Sequence, residues 1–271
     1  MQGGIFGRAF VNLEPYLDVA ALRALDEEIS WGLTQVPVTY TGGSHRSMGI
    51  VPPSMEGSPY ADYGQAIRQM NRAEFARFVS LSDTPNDFDL DRQAEYEFGE
   101  ERPFPLSRRQ MLYLEYRHGV YFPWKVFYEL MPNLAWEERA EAQGKAFTDE
   151  ARRIFPATVR FVEQLPFARI GRCNLLGLHS NDHGTVHRDA EDDPQVGHFI
   201  TLCPRANKRL FLWDEERRTA CPIEGHAYWF DDRLYHGVAA DPFFRYSLRV
   251  DGLLQPAFLA RLEKDLRVRH R

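Results

Sequence analysis

Between residues 167 and 254 the chain is cut into short runs rich in β-branched and aromatic residues, each ended by turn-forming residues. The runs 168–178, 183–189, 198–203, 208–213, 225–230, 235–238 and 244–254 read as strands. Turns fall at Ser180-Asn181-Asp182, Pro204-Arg205-Ala206-Asn207 and Asp231-Asp232-Arg233. Many short strands separated by such turns point to a sandwich or barrel.

Two of these runs carry the residues with the most chemistry. His187-Arg188-Asp189 lies in the second and Tyr235-His236-Gly237 in the sixth. In a strand, residues i and i+2 point to the same side, so His187 and Asp189 can aim at one point while Arg188 faces away. Two imidazoles and one carboxylate on one face of a metal leave the remaining positions open, which is the ligand set of mononuclear non-haem Fe(II) oxygenases. Arg245 follows His236 by nine residues, enough for a short turn and a return strand. A guanidinium there can hold a carboxylate as a bidentate pair, and Ser247 faces the same way with a hydroxyl to donate. Arg249, four residues beyond Arg245 on the same face, is a second carboxylate clamp or a substrate contact. Arg172 and Asn174 share one face of the first strand and can look into the barrel. His183 and His187 are four apart, as in zinc proteases, but the Glu of HExxH is missing and Gly184-Thr185-Val186 favours extended chain. His179 and His226 read as polar strand-end residues.

These residues carry a family resemblance. The segment 167–254, about a third of the chain, resembles the Fe(II)/2-oxoglutarate-dependent dioxygenases. Within them it is similar to the aspartyl/asparaginyl β-hydroxylase-like branch and to the cis-proline hydroxylases. The match rests on Arg169-Ile170-Gly171-Arg172, His187-Arg188-Asp189, Gly225 with Tyr228-Trp229-Phe230-Asp231-Asp232, Tyr235-His236-Gly237-Val238, and Arg245-Tyr246-Ser247-Leu248-Arg249-Val250-Asp251. The resemblance implies an α+β protein with a double-stranded β-helix (jelly roll, cupin-like) core. It also implies Fe(II), 2-oxoglutarate and dioxygen as metal and cosubstrates, with His187, Asp189 and His236 as the iron ligands. Arg245, with Ser247, would bind the distal carboxylate of 2-oxoglutarate. His198, eleven residues after His187, stands where the family places a further cosubstrate contact, although Val196 replaces the arginine that usually precedes it.

The implied reaction is hydroxylation of an unactivated C–H bond in an amino acid or peptidyl residue, free or held on a carrier protein or peptide, yielding succinate and CO₂. A cupin-like metal enzyme that does not use 2-oxoglutarate, and a non-catalytic small-molecule-binding barrel, are the alternatives left open.

Residues 1–166 read as a mainly helical region packed on the core. Helical spacing is visible over 17–33, with Asp18 as N-cap, and over 60–81. It resumes over 107–116, 122–131, 136–155 and 158–165. The acidic, proline-punctuated stretch 82–105 reads as a long surface loop or lid. The turn Gly42-Gly43-Ser44 brings His45 and Arg46 to a loop that can face a substrate carboxylate. Residues 167–255 form the core and 256–271 a C-terminal helix, in one structural domain overall.

Composition narrows the partners. At 271 residues and 44% hydrophobic, the chain is long enough for one large core. A net charge of -6 gives no global basic field for nucleic acid or an anionic membrane surface. Three cysteines without CxxC spacing argue against a disulfide framework and a structural zinc site, and toward a reducing cytoplasm. No basic-then-apolar leader and no apolar run near ~18 residues is present, so a soluble protein without a membrane partner is expected.

Overall fold

A computed structural model of the chain describes residues 7–38, 50–55, 57, 63–99, 103–122, 126–132, 145–189 and 198–268. The loop carrying His45 and Arg46 lies outside the described residues.

Among the described residues, ten strands form two antiparallel sheets. In chain order they are β1 (Phe10–Asn12), β2 (Val126–Met131), β3 (Phe167–Leu178), β4 (Gly184–His187), β5 (Phe199–Leu202), β6 (Leu210–Asp214), β7 (Thr219–Pro222), β8 (Ala227–Phe230), β9 (His236–Val238) and β10 (Arg245–Leu254). The larger sheet runs β1-β8-β5-β10-β3-β2 and the smaller β4-β9-β6-β7. The smaller sheet lies across one face of the larger, where the Phe230 ring on β8 meets His236 on β9 at 4.9 Å. Two antiparallel sheets closed on each other in this way are a double-stranded β-helix. β1 and β2, drawn from the N-terminal part of the chain, are the two edges of the larger sheet.

β10 explains how the sheet can be buried on both faces. Tyr246, Leu248 and Val250 alternate with Arg245, Ser247, Arg249 and Asp251, and all seven are buried. The first set joins the main hydrophobic core. That core also takes residues from helices α1 (Val19–Gly32), α5 (Asp149–Ile154), α6 (Pro156–Glu163) and α7 (Pro256–Val268). The polar set faces the smaller sheet. At the β10–β3 bulge a Cβ on Gly252 would lie 2.1 Å from the Arg169 carbonyl oxygen, so only glycine allows that approach.

The helices on the outer face are tied to one another. The Asp18 side chain accepts from Ala21 N and caps α1, where the sequence places the cap. Glu28 of α1 accepts from the Ala157 and Thr158 amides and the Thr158 hydroxyl at 2.7–2.8 Å, filling the N-terminus of α6.

A second hydrophobic cluster joins α2 (Tyr63–Arg68), α3 (Arg72–Val79) and α4 (Arg108–His118). It replaces several sequence expectations. The span 60–81 is two helices rather than one, because the Asn71 side chain accepts from Glu74 N and starts a new helix. The described part of 82–105, expected as a surface loop or lid, carries short 3-10 turns and is pinned by aromatic contacts. Phe88 stacks on Phe98 at 5.5 Å, and Tyr96 meets Phe104 edge-on at 4.9 Å, so aromatics supply the burial that the missing aliphatics do not. The stretch read as helical over 122–131 contains β2, whose Val126, Tyr128 and Leu130 are buried against β3. From the helix expected over 136–155, the described part is helical from Asp149.

The second cluster meets the barrel through Tyr121. Its ring stacks on His183 at 4.2 Å, and its hydroxyl donates to the His183 carbonyl and accepts from the His183 amide. No helix among the described residues is long and apolar enough to cross a membrane.

Candidate metal centre

The ends of β4 and β9 meet at His187 and His236, which are directly paired across the strands. Their rings are 4.5 Å apart, and the Asp189 Oδ1 lies 3.5 Å from His187 Nε2 and 3.7 Å from His236 Nε2. One ligand atom from each residue lies within 4.8 Å of the others, the spacing that a single ion would bridge. Among the described residues this is the one such group of three.

The backbone fixes which nitrogen each ring presents. His187 Nδ1 is 2.8 Å from the Thr185 carbonyl oxygen, and His236 Nδ1 is 2.9 Å from that of Leu234. A carbonyl can only accept, so each Nδ1 carries the proton and each Nε2 turns its lone pair to the centre. Burial, together with the neighbouring His187 ring, pushes His236 down to about 4, which keeps it neutral near pH 7. At Asp189 burial opposes the charge, but the His187 and His236 rings and the Arg249 guanidinium outweigh it. The carboxyl is held well below the usual range.

Arg249 is the counter-charge of the centre. It reaches Asp189 Oδ2 at 3.2 Å, Asp232 Oδ2 at 2.8 Å and Asp251 Oδ1 at 3.1 Å, and its guanidinium lies 4.0 Å above the Phe199 ring. Arg172 donates to Asp251 at 2.9 Å from the facing strand, and Asn174 stands opposite Arg249 in register. Arg188 turns away, as strand alternation requires. Its guanidinium lies 5.4 Å over the Tyr235 ring, and its backbone exchanges two hydrogen bonds with Ile50.

Behind the triad, buried polar side chains line the interior between the sheets. Thr185, two residues before His187, and Asn174 each bury an oxygen (Oγ1 and Oδ1) that has no hydrogen-bond partner among the described residues. Ser247 is buried between Arg249 and Arg245. Arg245 closes the end away from the triad. Its Nη2 donates to the Asp182 and Ala239 carbonyls, and its Nη1 points at those of Phe243 and His179. Arg245 and Arg249 are four steps apart along the strand, about 13 Å of backbone.

The structure therefore brings His187, Asp189, His236, Arg249, Arg172, Asn174, Ser247 and Arg245 to one interior face. His198 is placed differently. Its Nδ1 accepts from the Leu254 amide, and it alternates with Phe199, whose ring faces that interior. His226 binds the Cys203 carbonyl, and His179 is exposed. One interior residue was not read as part of the site. Lys208, read as the first residue of the strand 208–213, sits just before β6 and is buried with its amine 2.7 Å from the Leu176 carbonyl oxygen.

The sequence matches no family model and no curated protein. Several solved structures are similar to part of the chain. One is an oxidoreductase of the 2OG-Fe(II) oxygenase family from Burkholderia pseudomallei, at 14% identity over 46% of this chain and 66% of that one, with a TM-score of 0.31. Another is a Pseudomonas putida prolyl-4-hydroxylase, at 14% identity over 36% of this chain and 58% of that one, with a TM-score of 0.24. A third is the viral collagen prolyl hydroxylase of Paramecium Bursaria Chlorella virus-1, at 10% identity over 46% and 77%, with a TM-score of 0.27. The similarity spans less than two thirds of the length of the first two.

Proposed function

We propose that this chain is an Fe(II)- and 2-oxoglutarate-dependent dioxygenase that hydroxylates an unactivated C–H bond of an amino acid or peptidyl residue. The carrying observation is the triad itself, in which two Nε2 lone pairs and one carboxylate oxygen converge on one side of a point. Two orphaned oxygens and a cationic far end lie behind it. A pure binding barrel has no use for that convergence.

The donor set fits iron. Two neutral imidazoles and one ionised carboxylate leave open positions for a cosubstrate and dioxygen. When bound, the iron with 2-oxoglutarate and dioxygen would supply the oxidising power, leaving succinate and CO₂ beside the hydroxylated product. The protein's own work is positional. Thr185 and Leu234 hold the imidazole tautomers, and Arg249 keeps one oxygen of Asp189 occupied so that the other faces the metal. Arg245 and Ser247 make the far end of this interior suited to a distal carboxylate. Phe199 and Phe230 are buried beside the centre and exclude water from it. Arg172 and Arg249 are engaged by Asp251 and Asp189, and in this reading they order the interior. The amino-acid or peptidyl substrate rests on the sequence resemblance to Asp/Asn and proline hydroxylases.

The test is anaerobic addition of 2-oxoglutarate to the Fe(II)-loaded protein. A weak visible charge-transfer band is expected, and it should vanish in His187→Ala. If Fe(II) binds and no band forms, 2-oxoglutarate is not the cosubstrate, and a cupin-like metal enzyme becomes the better reading.

A further inference from the structure

Asp251 is buried at the bulge of the β10–β3 ladder, outside the ligand triad. Arg172 of β3 stands directly opposite it in register, with its Nε and Nη2 each 2.9 Å from Asp251 Oδ2. Arg249 lies two residues back along β10 and therefore on the same face. Its Nε reaches the two oxygens of Asp251 at 3.1 and 3.3 Å. The other two nitrogens of the same guanidinium go on to Asp189 and Asp232. Arg172, Asp251, Arg249 and Asp189 thus form a line of alternating charge from β3 to the triad.

Every side chain in that line is at most 9% exposed, so its charges are poorly screened and act on one another over several ångströms. Arg249 is shared among three carboxylates, and each of them limits its pull on the other two. Loss of the Asp251 charge would let Arg249 lean harder on Asp189, and it would remove the carboxylate that offsets Arg172. Both changes reduce the negative charge that Asp189 offers to a cation.

We propose that Asp251 and Arg172 are positioning residues of the metal centre, which set through Arg249 how much of the Asp189 charge a bound divalent ion receives; this rests on the Fe(II) reading above. The two act in opposite directions. Asp251 draws Arg249 away from Asp189 and strengthens the site, whereas Arg172 occupies Asp251 and weakens it. A pair that served packing alone would have no such difference of sign, because the loss of either partner would loosen the same strands.

The test is anaerobic titration of the full chain with Fe(II), with urea unfolding to confirm that each variant is folded. Asp251→Asn, which is nearly isosteric, is expected to bind Fe(II) about 10–100-fold more weakly than the wild type. Arg172→Met should bind at least as tightly as the wild type, and the variant carrying both changes should bind more tightly than Asp251→Asn alone. Unchanged affinity in Asp251→Asn, or a double variant no tighter than that single one, overturns the proposal. If Asp251→Asn does not fold, Arg172→Met decides: affinity at or above the wild type bears the proposal out, and a lower affinity overturns it. Addition of 2-oxoglutarate to the loaded wild type keeps the two readings apart. Without a charge-transfer band the functional reading falls, while the order of Fe(II) affinities still decides the role of the pair.

Discussion

Arg249 Nη1 and Asp189 Oδ2 lie 3.2 Å apart, and the same guanidinium also holds Asp232 and Asp251. One residue that touches no ligand position thus sets the orientation of the only carboxylate in the triad. Replacing it with Lys keeps the charge but cannot span three carboxylates with a planar fork. Arg249→Lys is expected to weaken Fe(II) binding by about 10–100-fold, as measured by anaerobic metal titration. Unchanged affinity would show that Asp189 is held by other means.

Gly237 follows the ligand His236 directly. A Cβ there would stand 2.7 Å from the Phe211 ring and 2.9 Å from the Gly184 carbonyl oxygen, so β4 or β6 must shift. Gly237→Ala is expected to cost about 1–3 kcal/mol in urea unfolding and to weaken metal binding with it, since β4 and β9 carry the two imidazoles. A variant as stable as the wild type would mean that the strands yield more easily than their packing implies.

The metal-free protein should show Lys208 in its pH dependence. The amine titrates at about 7 in the folded protein and near 10.4 in an unfolded chain. Between those values the unfolded chain binds more protons, so stability rises with pH; below about 7 the full cost of the buried charge is present. From pH 7 to pH 9 the wild type should gain roughly 1–2 kcal/mol relative to Lys208→Met. Parallel stability curves for the two proteins would count against a buried, low-affinity proton site.

Glu28 gives a control on the other face. Its carboxylate satisfies two amides and a hydroxyl at the start of α6, so Glu28→Gln should lower stability by about 1–2 kcal/mol. Metal and cosubstrate affinity should be unaffected, because α1 and α6 pack on the outer face of the sheet. A change in metal titration would reveal coupling between the faces.

Much of the core was legible in the sequence because short strands with alternating faces leave a period-two trace. All seven strands expected after residue 167 are present, with boundaries shifted by a residue or two. β7 went unread because its residues are exposed on an edge and carry no alternation. β2 was taken for a helix, since Val126, Phe127, Tyr128 and Leu130 fit either period over so short a run. The aromatic packing of Phe88, Tyr96, Phe98 and Phe104 was hidden by acidic and proline residues between them. At the centre, spacing put His187 and Asp189 on one strand face, and the family resemblance joined them to His236. Lys208 did not stand out, because a lysine at the start of a strand carries no sign of which way it will turn, and the carbonyl it meets lies 32 positions away.

The strand bonded to both β5 and β3 in the larger sheet, β10, is made 42 residues or more after either of them is complete and is the last strand among the described residues. During synthesis the two histidines and Asp189 leave the ribosome before Arg249, which balances the carboxylate. Until residue 254 has emerged, β3 and β5 each present an open edge to any neighbouring nascent chain. The interval of greatest exposure to misassociation therefore runs from the emergence of β5 to that of β10, which sets a kinetic hazard separate from the stability of the finished sheet.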